Sequence, residues 1–354
     1  MTDAGIIENG VLKVKDGLIS YVGTQLDTSD TAATYIDLKG KVVSPGLVDL
    51  HTSVSMQESG RRNLYDLSVS DWMNFTGEQI QSLLSHGITT VAVRPPTDSL
   101  FGGYSSLVEI APDSLGGPNI LVDTLDYQIS LVGTDDASLQ FNSLQKMYRL
   151  REAIRQLRNP AYQGLDFTPL SEKEFLVKTV QKGIPLYLVL DNPVHYSLVT
   201  EMLAPHDVQY YFGGGNRSTE YIRTLSTRDL ETFPPLIIGP STLSLDTEKN
   251  RYYSIPSQLL EYGIPFAIAT FAPTQPEWTL YYQAQQTVQY GIPPGEALRA
   301  VTSVSNQLVD LVHPVGVLQK GARANLLVLS GTPMDMMSKI SMTIVQGRQV
   351  WARD

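Results

Sequence analysis

The stretch that indicates the fold of this chain is Val43-Ser-Pro-Gly-Leu-Val-Asp-Leu-His51-Thr-Ser53. Its apolar run predicts a strand over 47–53 that carries His51 and Ser53 near its C-terminal end. Residues at i and i+2 of a strand point to the same face, so a second imidazole at position 53 would let both rings bind one divalent ion. The hydroxyl of Ser53 is a poor zinc ligand in that place. Any metal site must therefore draw its ligands from other strands.

After this stretch, apolar strand-like runs alternate with helical stretches, which is the pattern of repeated βα units. We predict strands over 47–53, 88–94, 120–125, 184–190, 208–212, 235–238 and 266–270, and place an eighth within 127–133. Helices are predicted over 77–85, 144–157, 172–181, 197–203, 256–262, 276–290 and 296–304. This order of elements predicts a parallel α/β barrel.

The two ends of the chain are rich in short strands. Alternating residues over 10–15 and 18–23 flank Asp16-Gly17, which predicts a β-hairpin. Strands return over 340–345 and 349–351. Both groups cannot extend a closed barrel, so we expect them to pair with each other. The predicted organisation is a composite β-sheet domain from residues 1–45 and 314–354, and a barrel from 46–313.

Composition narrows the class of protein. The 354 residues include no cysteine, which excludes disulfides and thiolate metal sites and leaves His, Asp and Glu as strong ligands. A net charge of -10 argues against a nucleic-acid partner. No apolar run approaches the roughly 20 residues that span a bilayer, and no signal peptide opens the sequence, so we expect no membrane partner and a cytoplasmic protein.

Two groups of motifs resemble the amidohydrolase superfamily, most closely its imidazolonepropionase-like branch. One is Gly40-Lys-Val-Val-Ser-Pro-Gly-Leu-Val-Asp-Leu-His51 with the hairpin before it. The other is Gly316-Val-Leu-Gln-Lys-Gly-Ala-Arg-Ala-Asn-Leu-Leu-Val-Leu329 with Val345-Gln-Gly-Arg-Gln-Val350. The resemblance implies a (β/α)8 TIM-like barrel beside a small composite β-sheet domain formed by both chain termini. It also implies hydrolysis of cyclic amides or related C–N bonds with one or two divalent ions.

The resemblance implies metal ligands at the ends of particular strands, and this sequence departs from most of them. Val189 stands where a histidine is expected, Gly213 where a second is expected, and Phe271 where an aspartate is expected. Only His51 is retained. Catalytic zinc needs about three protein ligands and an open position for water. We therefore favour a pseudoenzyme without a cofactor that acts as a homo-oligomer, or as a hetero-oligomer with an active amidohydrolase homologue.

Two alternatives stay open. In the first, His51, Asp191 and His195 rebuild a single zinc site for hydrolysis of a cyclic amide or another non-peptide C–N bond. The competing interpretation is that Asp191-Asn-Pro193 turns the chain and caps the next helix.

The second alternative is a small-molecule binding module at the barrel mouth. Glycine-rich backbone can bind an anion through its N–H groups. Arg94 suits an acidic ligand, although a structural salt bridge explains it equally well. The candidate ligand-binding residues are His51, Arg94, Gly213, Gly214 and Asn216.

Overall fold

The computed structural model describes residues 5–25, 34–56, 65–133, 140–214, 218–246, 250–308 and 311–353. Its main feature is a nearly closed sheet of eight strands within a mixed α/β fold. In spatial order the strands are β4 (Leu47–Thr52), β5 (Ile88–Val93), β6 (Phe101–Glu109), β7 (Asn119–Ser130), β8 (Leu186–Leu190), β9 (Tyr210–Gly214), β10 (Leu236–Ile238) and β13 (Phe266–Ile268). Backbone bonds from Phe271 N to His51 O and from Ser53 N to Ala272 O join the last strand to the first.

One strand runs against the others. β6 pairs antiparallel with both β5 and β7, whereas every other pair in this sheet is parallel. The seven predicted strands are present, but the placement of the eighth within 127–133 is wrong, because β7 continues to Ser130. The eighth strand is β6, whose Gly102-Gly103 and Ser105-Ser106 pairs have the composition of a loop.

Helices follow most of the barrel strands. They are α1 (Gly77–Ser85), α2 (Gln140–Gln156), α3 (Glu172–Gln181), α4 (Pro193–Leu203), α5 (Ser218–Ile222), α6 (Thr227–Glu231), α7 (Ile255–Glu261), α8 (Thr279–Gln289), α9 (Pro294–Ala300) and α10 (Ser305–Leu308). A short hairpin of β11 (Leu243–Asp246) and β12 (Arg251–Ser254) follows β10. Among the described residues, no helix combines the length and the apolar character needed to cross a bilayer.

Alternation along the strands divides the barrel core in two. Leu186, Leu188 and Leu190 of β8 belong to a large cluster that also contains buried residues of the helices. Tyr187 and Val189 of the same strand belong to a separate cluster, built mainly from strand residues. Because successive strand residues face opposite sides, this second group fills the barrel interior and is called the inner cluster below.

The strands near the chain ends meet beside the barrel. β3 (Val42–Pro45) pairs with β14 (Leu326–Leu329), and β15 (Ile340–Val345) and β16 (Arg348–Ala352) extend this terminal sheet. The predicted hairpin is present as β1 (Val11–Lys15) and β2 (Leu18–Gly23), with positive φ at Asp16 and Gly17 in its turn.

The terminal sheet is tied to the barrel through one buried carboxylate. Glu109, at the end of β6, accepts hydrogen bonds from Arg323, Asn325 and Gln346. These contacts fix where the terminal sheet lies against the barrel. The division of the chain into a separate composite domain stays a prediction.

Candidate functional site

The candidate site lies inside the barrel, at the C-terminal ends of its parallel strands, where barrel enzymes carry their reactive groups. Its first member is His51 near the end of β4. The pairing of β4 with β5 shifts register between Asp49 and Thr52. This irregularity is the kind of bulge that turns a side chain from one face of a sheet to the other. His51 is buried and lies against Tyr187 and Phe271 of the inner cluster.

The imidazole of His51 is engaged on two sides. A hydrogen bond of 2.7 Å joins its Nδ1 to the hydroxyl of Tyr187. Its ring stacks on Phe271, with the ring centroids 3.9 Å apart and the planes at 19°. Burial, and secondarily the charge of Arg94, lowers the pKa of His51 well below its usual value. The ring is therefore neutral at physiological pH and packed among aromatic neighbours.

Arg94 follows β5 and is fully buried in the barrel. Its Nη1 donates to both carboxylate oxygens of Asp126 at 2.8 and 2.9 Å, and its Nε donates to the carbonyl of Leu50 at 2.7 Å. Its Nη2 donates to the hydroxyl of Tyr211 at 3.1 Å, and the guanidinium lies 3.7 Å from the ring centroid of Tyr187. The structure thus shows the salt bridge that the sequence offered as the alternative to ligand binding.

The charge of Arg94 is stable in this buried place. Burial is the largest single effect and lowers its pKa, but Asp126, Tyr211 and Tyr187 together outweigh it, so the pKa lies above its usual value. Ser105 and Tyr211 also donate to Asp126, so both charged groups are hydrogen-bonded. The set Arg94, Asp126, Ser105 and Tyr211 is called the Arg94 network below. Arg94 is fully buried, so its guanidinium has no surface exposed for contact with a ligand.

Asp49 is a buried carboxyl group in β4. Its Oδ1 accepts from the backbone N–H groups of His51 and Thr270, and its Oδ2 accepts from the Thr270 hydroxyl. Burial raises its pKa to about 6, although these hydrogen bonds act in the opposite direction. The first and last barrel strands are therefore held together partly through a group that titrates near neutral pH.

The residues at the expected ligand positions pack around the same interior. Val189 and Phe271 belong to the inner cluster with Tyr187. Phe271 has a φ of 55°, which is unusual for a bulky residue and costs on the order of 1–3 kcal/mol. The surrounding packing, including the stack on His51, must hold it in that conformation.

These residues do not fit a divalent ion at His51. Its Nδ1 already bonds to Tyr187, one ring face is covered by Phe271, and the nearby guanidinium of Arg94 disfavours a further positive charge. Val189, Gly213 and Phe271 carry no donor atoms in their side chains. In the described part of the chain, no three His, Asp or Glu side chains are grouped so that they would hold a metal ion.

The alternative metal set is not assembled among the described residues. The Nδ1 of His195 lies 3.9 Å from the Oδ1 of Asp191, but His51 is not grouped with them. Asn192 caps α4 through its side chain and Pro193 is the first residue of that helix, as the turn-and-cap interpretation predicts. Burial lowers the pKa of His195, and the charge of Asp191 partly opposes this effect.

Close packing explains why glycine occupies positions 213 and 214, which were predicted to bind an anionic ligand. A Cβ atom on Gly213 would lie 2.0 Å from the hydroxyl oxygen of Tyr187. Gly214 has a φ of 100°, and a Cβ there would lie 2.4 Å from the carbonyl oxygen of Leu190. Both glycines make room for neighbouring groups. Asn216, the remaining candidate of this loop, lies outside the described residues.

Replacement of Gly213 by alanine should lower the free energy of unfolding by about 1–3 kcal/mol, because the Tyr187 ring must move within a packed core. Urea unfolding followed by tryptophan fluorescence measures this change. Gly77→Ala is the matched control, since a Cβ there meets nothing within 4 Å, and it should change stability by less than about 1 kcal/mol. Equal effects of the two variants would contradict this role of Gly213.

Sequence reasoning missed the partner of Arg94. Asp126 lies in β7, one residue beyond the predicted end of that strand at residue 125. The sequence signal was a carboxylate between the apolar residues Leu125 and Tyr127, together with Arg94 directly after the apolar strand β5. Buried charges are almost always paired, so two isolated opposite charges in buried strands indicate an ion pair.

Comparison with known proteins shows which solved structures and curated proteins this chain is similar to. No protein-family model matches the chain. It is 46% identical over 55 residues to an imidazolonepropionase of Staphylococcus aureus (strain Newman), which covers 16% of this chain and 13% of that protein. It is 41% identical over 71 residues to a 5'-deoxyadenosine deaminase of Methanosarcina mazei, covering 20% of this chain and 16% of the relative. These matches span only a small part of either relative's length.

The structural match covers almost the whole chain. An amidohydrolase from Thermotoga maritima MSB8 superimposes with a TM-score of 0.78 at 19% identity, over 97% of this chain and 95% of that one. At this identity the likeness concerns the fold. The predicted resemblance is confirmed at this level: the chain shares its fold with a solved amidohydrolase, and one segment of 55 residues is similar to an imidazolonepropionase.

Proposed function

We propose that this chain has lost metal-dependent hydrolysis and acts as a non-catalytic amidohydrolase-fold subunit. The proposal rests on the side chains that fill the barrel interior. The Arg94–Asp126 ion pair and the His51–Phe271 stack fill the space around the one retained histidine. A hydrolase of this family would need a Lewis acid and an activated water there. A fixed guanidinium supplies charge but no open coordination position.

Such a subunit acts through association, as a homo-oligomer or beside an active amidohydrolase homologue. The composite domain of residues 1–45 and 314–354 is part of the same proposal, because a strand pair joins both ends of the chain. Light scattering of the purified chain, alone and mixed with an active homologue, should give a stable complex. A strictly monomeric chain under both conditions would remove this part of the proposal.

Metal content is the sharpest test of lost hydrolysis. Protein expressed with added zinc, manganese and iron, and purified without chelator, should contain far less than one tightly bound ion per chain by mass spectrometry. EDTA should leave its Tm unchanged. An active amidohydrolase carried through the same purification serves as the control and should retain its ions.

A tightly bound metal ion would contradict the proposed loss of hydrolysis. About one tightly bound ion per chain, together with EDTA-sensitive turnover of a cyclic amide, would replace this proposal by a metal-dependent hydrolase of non-peptide C–N bonds. Asp191→Ala then separates the possible centres. Loss of both metal and turnover in that variant would place the ion near Asp191 and His195, whereas full retention would place it elsewhere.

A further inference from the structure

A second group of reactive side chains lies at the edge of the barrel mouth. Ser143 is near the start of α2, His195 is in the first turn of α4, and Asp191 directly follows β8. The Ser143 Oγ lies 3.1 Å from the Nε2 of His195, and the Nδ1 of His195 lies 3.9 Å from the Oδ1 of Asp191. We propose that these three residues form an acyl-accepting site in which Ser143 is the nucleophile.

The order of the groups carries the proposal. A hydroxyl becomes a nucleophile when an imidazole takes its proton and a carboxylate orients that imidazole. The Nε2 of His195 faces the hydroxyl, so the opposite ring nitrogen is left to face the carboxylate. This arrangement contains no metal, so it is independent of the metal-dependent hydrolysis whose loss we propose. It would give a chain that is non-catalytic in the amidohydrolase reaction a separate chemical step of its own.

The second observation concerns the burial and hydrogen bonding of the His195 ring. His195 is 7% exposed, and its buried Nδ1 has no hydrogen-bond partner among the described residues. An unpaired buried polar atom is energetically unfavourable, so its position needs an explanation. Asp191 provides one, because the Oδ1 of its 45% exposed side chain lies 3.9 Å from this nitrogen. Its Oδ2 is held by the backbone N–H of Gly133 at 2.9 Å.

The surroundings favour developing negative charge on a substrate. α4 begins at Pro193, shortly after the C-terminal end of β8, and a helix N-terminus carries partial positive charge. Lys146 is three residues after Ser143 in α2, so the two side chains share a face of the helix. Its Nζ donates to the carbonyl of Val132 at 2.9 Å, which holds the ammonium beside the site.

The step we assign is acyl transfer from a carboxylic ester to Ser143. The Oγ–carbon bond forms as the hydroxyl proton passes to the Nε2 of His195. The ester C–O bond then breaks, and the leaving alcohol takes that proton from His195. Attack of water on the acyl-serine would release the acid and restore the hydroxyl.

A fluorophosphonate probe tests the nucleophile directly. In that reaction the Oγ–phosphorus bond forms, the P–F bond breaks and fluoride leaves, while His195 accepts the proton. Peptide mass spectrometry of the labelled wild-type chain should place the probe on Ser143. Replacement of His195 by glutamine should slow labelling by about 10² to 10⁴-fold, which is the usual contribution of a general base.

Ser197 provides the matched control because it is an exposed serine two residues after His195 on the same helix. Ser197→Ala should leave the labelling rate unchanged, whereas Ser143→Ala should abolish specific labelling. Asp191→Asn should slow labelling less than His195→Gln. Absence of label on Ser143 in the wild-type chain would overturn the proposal even if a variant failed to fold. A rate that is the same in a folded His195→Gln variant would also overturn it.

Discussion

Replacement of Arg94 by methionine is expected to lower the free energy of unfolding by about 3–5 kcal/mol, the usual cost of removing one partner from a buried ion pair. The variant leaves the carboxylate of Asp126 fully buried without its cation. It also removes the donors to Leu50 and Tyr211, which belong to two further strands. Urea unfolding at neutral pH, followed by tryptophan fluorescence, measures the loss.

Two further variants show whether burial of the Arg94–Asp126 ion pair causes this loss of stability. The double variant Arg94→Met, Asp126→Leu should lose less stability than the sum of the two single variants, because neither charge is then left alone. Arg149→Met breaks the exposed ion pair with Glu172 and should cost at most about 1 kcal/mol. Additive effects in the double variant, or a similar cost at Arg149, would contradict the structural role of the Arg94 network.

The second large effect concerns Asp49 and pH. The pKa of this carboxyl rises from 3.8 to about 6 in the folded chain, so the folded state keeps its proton after the unfolded state has lost it. Stability from this group is present below about pH 4 and is lost as pH rises through 6. A shift of about two units corresponds to about 3 kcal/mol. Asp49→Asn does not titrate and should escape this loss.

The measurement is therefore the difference between the unfolding free energies of Asp49→Asn and the wild type, followed as a function of pH. The free energy of unfolding of Asp49→Asn, minus that of the wild type, should rise by about 2 kcal/mol between pH 4 and pH 7. Thr270→Val serves as a second probe, because the Thr270 hydroxyl lowers the pKa of Asp49. Its removal should extend the loss of stability to higher pH. A pH-independent difference for Asp49→Asn would show that Asp49 ionises normally in the folded chain.

Much of the fold was predictable from local pattern. The hairpin around Asp16-Gly17, the apolar strands and the helices between them each have a signal within a few neighbouring residues. β6 was the exception, because its glycine and serine pairs resemble a loop. Its strand conformation depends on the hydrogen bonds that β5 and β7 supply on either side.

The candidate site was predictable only in part. The resemblance implied ligand positions at strand ends, where this sequence has His51 and the non-ligating residues Val189, Gly213 and Phe271. It did not show that Tyr187 would occupy the space above Gly213. That contact depends on the register between β8 and β9, in which Val189 lies opposite Gly213.

The sequence by itself determined the type and order of the elements, because hydrophobic period and turn chemistry act over a few residues. The tertiary structure decided which side chains meet. Arg94 and Asp126 are 32 residues apart and Ser143 and His195 are 52 apart, and no local pattern links the members of either pair. They come together because strand order and barrel closure place distant strand ends side by side, and desolvation there makes each charge and hydrogen bond depend on its partner.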